Sequence, residues 1–138
     1  MRYLRIVAAG AASLFASNAF AEDPAKPVDP RLGEAVSSIC FAGNINGFRT
    51  LKGEDDVVIL ERGVRDFYRV GLTGMCTASV LASAQAVAIQ SRPAGGCLTR
   101  GDTLEFSTSA FFSDRSIERT RCVVTSIHKW NPDVAKAK

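Results

Sequence analysis

Few residues of this chain can carry reaction chemistry. His128 is its single histidine, which excludes multi-histidine metal sites and makes any Ser-His-Asp or Cys-His arrangement depend on one residue near the chain's end. No G-x-S-x-G nucleophile elbow accompanies it. Within a strand over Cys122–Lys129, His128 has the parity of Cys122 and Ser126, so a structural or solvent-facing role precedes that of a general base. Glu54, Asp55 and Asp56 offer carboxylates, but three adjacent acids point in different directions and lack the spaced D-x-D-x-D-G loop that wraps calcium; they read as a solvated turn. Gly95-Gly96 reads as a tight turn before Cys97, because no helix start with Lys-Ser or Lys-Thr follows to make a phosphate cradle. Phe111-Phe112, with Arg115 close by, is the remaining candidate: exposed aromatics beside cations suit a protein or carbohydrate contact. The competing reading folds these phenylalanines back to plug the end of the domain.

The four cysteines, Cys40, Cys76, Cys97 and Cys122, are separated by 35, 20 and 24 residues, whereas zinc sites bring ligands in close C-x-x-C pairs. No metal and no cofactor is expected. A C-x-x-C redox pair is absent as well. An even number of cysteines in an exported chain implies two disulfides, for which the sequence permits three connectivities. The expectation is nested, with Cys76 joined to Cys97 inside and Cys40 joined to Cys122 outside.

Export itself is read from the N-terminus. Arg2 and Arg5 precede an apolar and small stretch from Ile6 to Ala16, and Ala19-Phe20-Ala21 stands before Glu22, the order of a signal peptide with an A-x-A cleavage site. The apolar run is about half of the roughly 20 residues that span a bilayer. Cleavage after Ala21 leaves 117 of the 138 residues, with 15 basic against 14 acidic side chains once Arg2 and Arg5 are removed. That is one domain's length of nearly neutral chain, with no footprint for nucleic acid and no membrane span in the mature part.

The elements that must position these residues are strands. Residues 22–34 carry Pro24, Pro27 and Pro30 and read as a solvated, disordered tether; residues 131–138 read as a frayed tail. Between them, over 35–130, short β-branched and aromatic runs alternate with turn clusters. Ser38–Phe41 and Ile45–Leu51 come first, followed by Val57–Leu60, whose unbroken apolarity suits burial on both faces. The turn Arg62–Arg65 leads into Phe67–Leu72, with Tyr68, Val70 and Leu72 on one face. Thr77 can cap a short helix carrying Val80, Leu81 and Ala84 on one side. Ala86–Ser91 reads as a strand ending at Arg92–Gly96; Leu104 and Phe106 alternate with Thr103 and Glu105 in the next; and the last strand sets Val123, Thr125 and Ile127 on one side. The segment 107–120 lacks periodicity and reads as a surface loop. Six or seven short strands with one helix predict a mainly β fold, a small closed or partly open β-barrel stapled by two disulfides.

The order Cys40-Phe41, Ile45 to Phe48-Arg49, Val57–Leu60, Tyr68-Arg69-Val70, Leu72, Cys76, Cys97, Gly101-Asp102-Thr103-Leu104 and Cys122 through Ile127 resembles the family of unknown function numbered 6491, over about 40–128. The resemblance implies a small exported protein of Gram-negative bacteria with a four-cysteine frame, hence a periplasmic one, and it implies no catalytic residues. The loop at 107–120 is bulkier here than that family's glycine-rich one. Together these readings predict a non-catalytic binding or accessory module that meets another envelope protein or a small ligand; the alternative is a small periplasmic hydrolase using His128.

Overall fold

Alternating apolar residues give most strands one face to bury, and the chain buries them by curling one antiparallel sheet around a common interior, with a separate two-stranded sheet beside it. In a computed structural model, residues 28–93, 96–110 and 118–134 are described. Their strands are β1 (Leu32–Ala35), β2 (Ser38–Ile39), β3 (Ile45–Thr50), β4 (Val57–Arg62), β5 (Asp66–Gly74), β6 (Ala86–Gln90), β7 (Leu98–Thr99), β8 (Thr103–Ser107) and β9 (Arg119–Trp130), with one helix, α1 (Ala78–Ser83). Six strands run β3-β4-β5-β9-β8-β6 and form a nearly closed barrel. The predicted mainly β barrel with one helix and two disulfides is the fold observed. The helix leads directly into β6 and touches β3, so it lies at the seam between the two edge strands, which is how an open edge is covered.

The hairpin β4–β5 follows the sequence pattern. Tyr68, Val70 and Leu72 are buried and meet Leu60 and Val58 across the barrel wall. Val57 and Ile59 are buried on the other face, as their unbroken apolar run requires; Ile59 is flanked in register by Arg49 and Arg69, whose aliphatic stems can cover it. Phe106 and Phe48 meet edge to face across the interior at 5.4 Å, a favoured aromatic geometry. Leu81 of α1 completes the same core. Thr77 occupies the N-cap position without a side-chain bond; Asp55 instead accepts from the Ala78 amide at 3.2 Å.

Several expectations are corrected. The disulfides join Cys40 to Cys97 and Cys76 to Cys122, a crossed pattern instead of the nested one. Strand pairing is the reason: β2 lies against β7, with Ile39 opposite Leu98, and this sets Cys40 beside Cys97. Gly74 pairs with Cys122 at the far end of β5, delivering Cys76. In β9 the expected face also fails. Gly71 faces Ser126 while its neighbour Leu72 faces Val124, so Thr125 is an extra residue, a β-bulge that reverses the parity. Cys122, Val124 and Ile127 point inward, and Val123 and Thr125 are exposed.

The remaining differences concern boundaries. β9 begins at Arg119, within the stretch expected as loop. Its length lets one edge serve two partners, β8 over Arg119–Val123 and β1 at His128 and Trp130. That second half gives β1 its place, so a strand starts at Leu32, inside the stretch expected as tether. β2 stops at Ile39, and Phe41 takes a left-handed conformation (φ 58°, ψ 52°) before a 3-10 turn at Ala42–Asn44.

Candidate ligand-binding groove

The barrel wall turns a second, outer face to solvent, and β5 and β9 furnish it. Phe67 has the opposite parity to Tyr68 and Val70, so it lies outside, directly across from Trp130. Trp130 is nearly buried there because the Arg31 guanidinium lies 4.5 Å from its ring centroid. Arg31 is in turn held by Asp29, to which it donates from Nε at 3.0 Å and Nη2 at 2.7 Å. These bonds raise the Arg31 pKa from its ordinary value, so the stacked group is a permanent cation. On β3, Arg49 stacks over Phe67 at 5.4 Å and pairs with Glu61.

Between the β4–β5 turn and residues 131–133 these groups border an open groove of about 850 Å³, lined among others by Arg49, Arg65, Phe67, Lys129, Trp130 and Asp133. Its chemistry is that of a contact surface: cations whose charged ends reach solvent, two aromatic faces and one carboxylate. Arg49 and Lys129 keep 60% and 59% of their side chains exposed although each has an acidic neighbour, so both retain donors for an incoming acceptor. None of these residues was singled out from sequence. The available signal was Phe67, an aromatic on the strand face opposite Tyr68 and Val70.

His128 and Ser126 both lie on the outer face, beside a cleft of about 400 Å³ that includes Ser37 and Arg100. The parity shared with Ser126 is therefore correct, and that with Cys122 is not, because the bulge intervenes. Nδ1 of His128 is buried without a hydrogen-bond partner. A serine–histidine pair needs a third group to hold the imidazole tautomer, and none is bonded to that atom among the described residues.

The acidic turn is tied into the fold. Glu54 pairs with Arg69, Asp55 meets the start of α1, and the Asp56 carbonyl accepts from the Leu72 amide at 2.7 Å. Gly96 closes a turn with Pro93 at 3.0 Å. Glu105, expected to face outward, does so yet is 5% exposed: Gln90 donates to it at 2.8 Å, and Arg119 and Arg121 approach at 3.5 and 3.8 Å. Phe111, Phe112 and Arg115 lie outside the described residues, as does the segment 1–27 that carries the export signal. No group of three or more His, Cys, Asp or Glu side chains fit to hold a metal occurs among the described residues, and no described helix is long and apolar enough to cross a membrane.

No curated protein and no solved structure matches the chain. A family model does match it, over residues 1–138, and the chain belongs to that family, the family of unknown function DUF6491.

Proposed function

We propose that this chain is an exported, periplasmic protein that serves as a non-catalytic binding or accessory module of the cell envelope, making its contacts on the outside of the barrel. One observation carries the reading. The interior is filled by fully buried side chains, among them Phe106, Leu60, Leu104 and Ile127, so a partner or small ligand meets the outer wall, where the groove of Arg49, Phe67 and Lys129 is open to it. Clefts that pair apolar area with a few oriented polar groups are the usual ligand sites. The signal-like N-terminus and the pairing of all four cysteines support an oxidising compartment. A hydrolase centred on His128 has less support, because no acid among the described residues is bonded to its buried Nδ1.

The test is fractionation followed by site-specific cross-linking. The mature chain should be released by osmotic shock with Glu22 as its first residue; a soluble cytoplasmic product retaining Met1–Ala21 would refute export. A photo-cross-linking residue placed at Phe67 should then give a discrete adduct that Arg65→Glu abolishes. Adducts only from a cross-linker at Phe112 would move the contact to the 107–120 loop and refute the groove.

A further inference from the structure

Phe41 is a bulky residue in the left-handed region (φ 58°), a conformation that L-residues with large side chains avoid. Its ring gains nothing from the core in return, since Phe41 is 71% exposed. The surrounding bonds nevertheless hold it there. Cys40 is tied to Cys97, the Cys40 carbonyl accepts from Arg62 Nη1 at 3.1 Å, and the Ala42 amide donates to the Gly96 carbonyl at 2.9 Å. A strained backbone that its neighbours over-determine is a recurring mark of a functional position.

A second exposed apolar side chain lies on a turn that is tied to the same segment. Val64, at the apex of the β4–β5 turn, is 87% exposed, and its turn is fastened to the Phe41 segment: the Gly63 amide donates to the Asn44 carbonyl at 3.2 Å, and Asn46 Nδ2 donates to the Gly63 carbonyl at 3.3 Å. Arg62 reaches the Cys40 carbonyl beside the first knob, and Arg65 follows Val64 at the second. Arg62 is paired with Asp66 at 2.6 Å; Arg65 is exposed, and no described acid pairs with it. The turn at the opposite end of β4 carries Glu54, Asp55 and Asp56, so the two turns that flank β4 differ in charge.

The geometry points to peripheral docking of the Phe41–Val64 end on an anionic lipid surface. Two convex knobs, held rigid and set among arginines, match a bilayer interface, where apolar tips enter the headgroup boundary while guanidinium groups reach lipid phosphates. A protein hot spot would instead gather its aromatic residues into a packed, desolvated patch. The inference goes beyond the envelope-module reading and does not depend on export; it shares Val64 and Arg65 with the edge of the groove, so Phe41, which lies outside the groove, separates the two.

The experiment is co-sedimentation of the folded, disulfide-bonded protein with phosphatidylcholine vesicles, with and without phosphatidylglycerol. The protein should bind the anionic vesicles, release on added salt, and leave neutral vesicles largely unbound. Phe41→Gly is the discriminating variant, because glycine accepts the left-handed conformation: it should melt at or above the wild-type temperature while losing about tenfold in vesicle affinity. Val64→Ser should lose roughly threefold or more, and Arg65→Glu about tenfold. Wild-type protein that ignores anionic vesicles overturns the assignment, even if the same end proves to meet a protein. So does equal binding to neutral vesicles, or a Phe41→Gly variant that binds as well as wild type.

Discussion

Breaking the disulfide Cys76–Cys122 tests the crossed frame most directly. Its cysteines are 46 residues apart, and those of Cys40–Cys97 are 57 apart. On the chain-entropy account, loops of these lengths stabilise by about 4 kcal/mol each, with a difference between them of only a few tenths. Location separates them further. Cys76 and Cys122 are both wholly buried in the core cluster, whereas Cys40 and Cys97 are partly exposed and fasten the small β2–β7 ribbon.

The double variant Cys76→Ala, Cys122→Ala should therefore lose about 4 kcal/mol for the loop and roughly 1 kcal/mol more for lost packing, lowering the urea midpoint by about 2 M or more at a slope near 2 kcal/mol/M. Limited reduction of the wild type, followed by alkylation, should label Cys40 and Cys97 first, since exchange requires access to the sulfur. Peptide mapping needs care. Arg92 precedes Pro93, a bond trypsin resists, so Cys76 and Cys97 would stay on one tryptic peptide; a chymotryptic cut after Leu81 separates them. A Cys76–Cys97 cross-linked peptide in the native protein, or a loss below about 1 kcal/mol in the double variant, would refute the frame.

Two other outcomes follow from local geometry. Glu105→Ala should cost about 1–3 kcal/mol in a denaturant titration, because Gln90 loses its buried acceptor while Arg121, 71% exposed, rehydrates; Glu105→Gln should recover part of that by keeping an acceptor for Gln90, and an Ala variant as stable as wild type would show the network to be idle. Gly74→Ala should cost more than Gly53→Ala. Both sit at positive φ, but a Cβ at Gly74 would stand 3.2 Å from the Arg121 carbonyl, while nothing lies within 4 Å at Gly53; the expected melting losses correspond to about 2–3 and about 1 kcal/mol, and equal losses would contradict the register at Cys122.

Sequence periodicity was a sound guide wherever a strand had one buried face and no interruption. Tyr68, Val70 and Leu72 could be assigned by spacing alone, and the helix by Val80, Leu81 and Ala84, because each pattern needs only its own residues. Reading failed where a distant partner decides the outcome. Thr125 is a bulge only because β5 and β9 must stay paired on both sides of it, and no local feature of Val123-Val124-Thr125 announces that. The same non-local pairing chose the disulfides, since Ile39 of β2 finds Leu98 of β7 from far along the chain. Glu105 looked like a solvent-facing acid by alternation, and only the arrival of Arg119, Arg121 and Gln90 on the same patch makes it a buried one.

The groove was illegible for a related reason. Its residues come from β3, β5, β9 and the two turns beyond them, and each taken alone is an ordinary solvent-face side chain. What a strand pattern can disclose is the parity of Phe67, an aromatic on the wrong face for the core. The bulge at Thr125 then links fold to surface. Without the extra residue, Trp130 would share the inward parity of Cys122 and Val124 and point into the barrel; with it, Trp130 joins Phe67 outside and brings Arg31 over its ring. One inserted residue thus lets β9 contribute Val124 and Ile127 to the core and Trp130 to the wall of the groove, which couples the integrity of the outer surface to the same strand pairing that holds the barrel together.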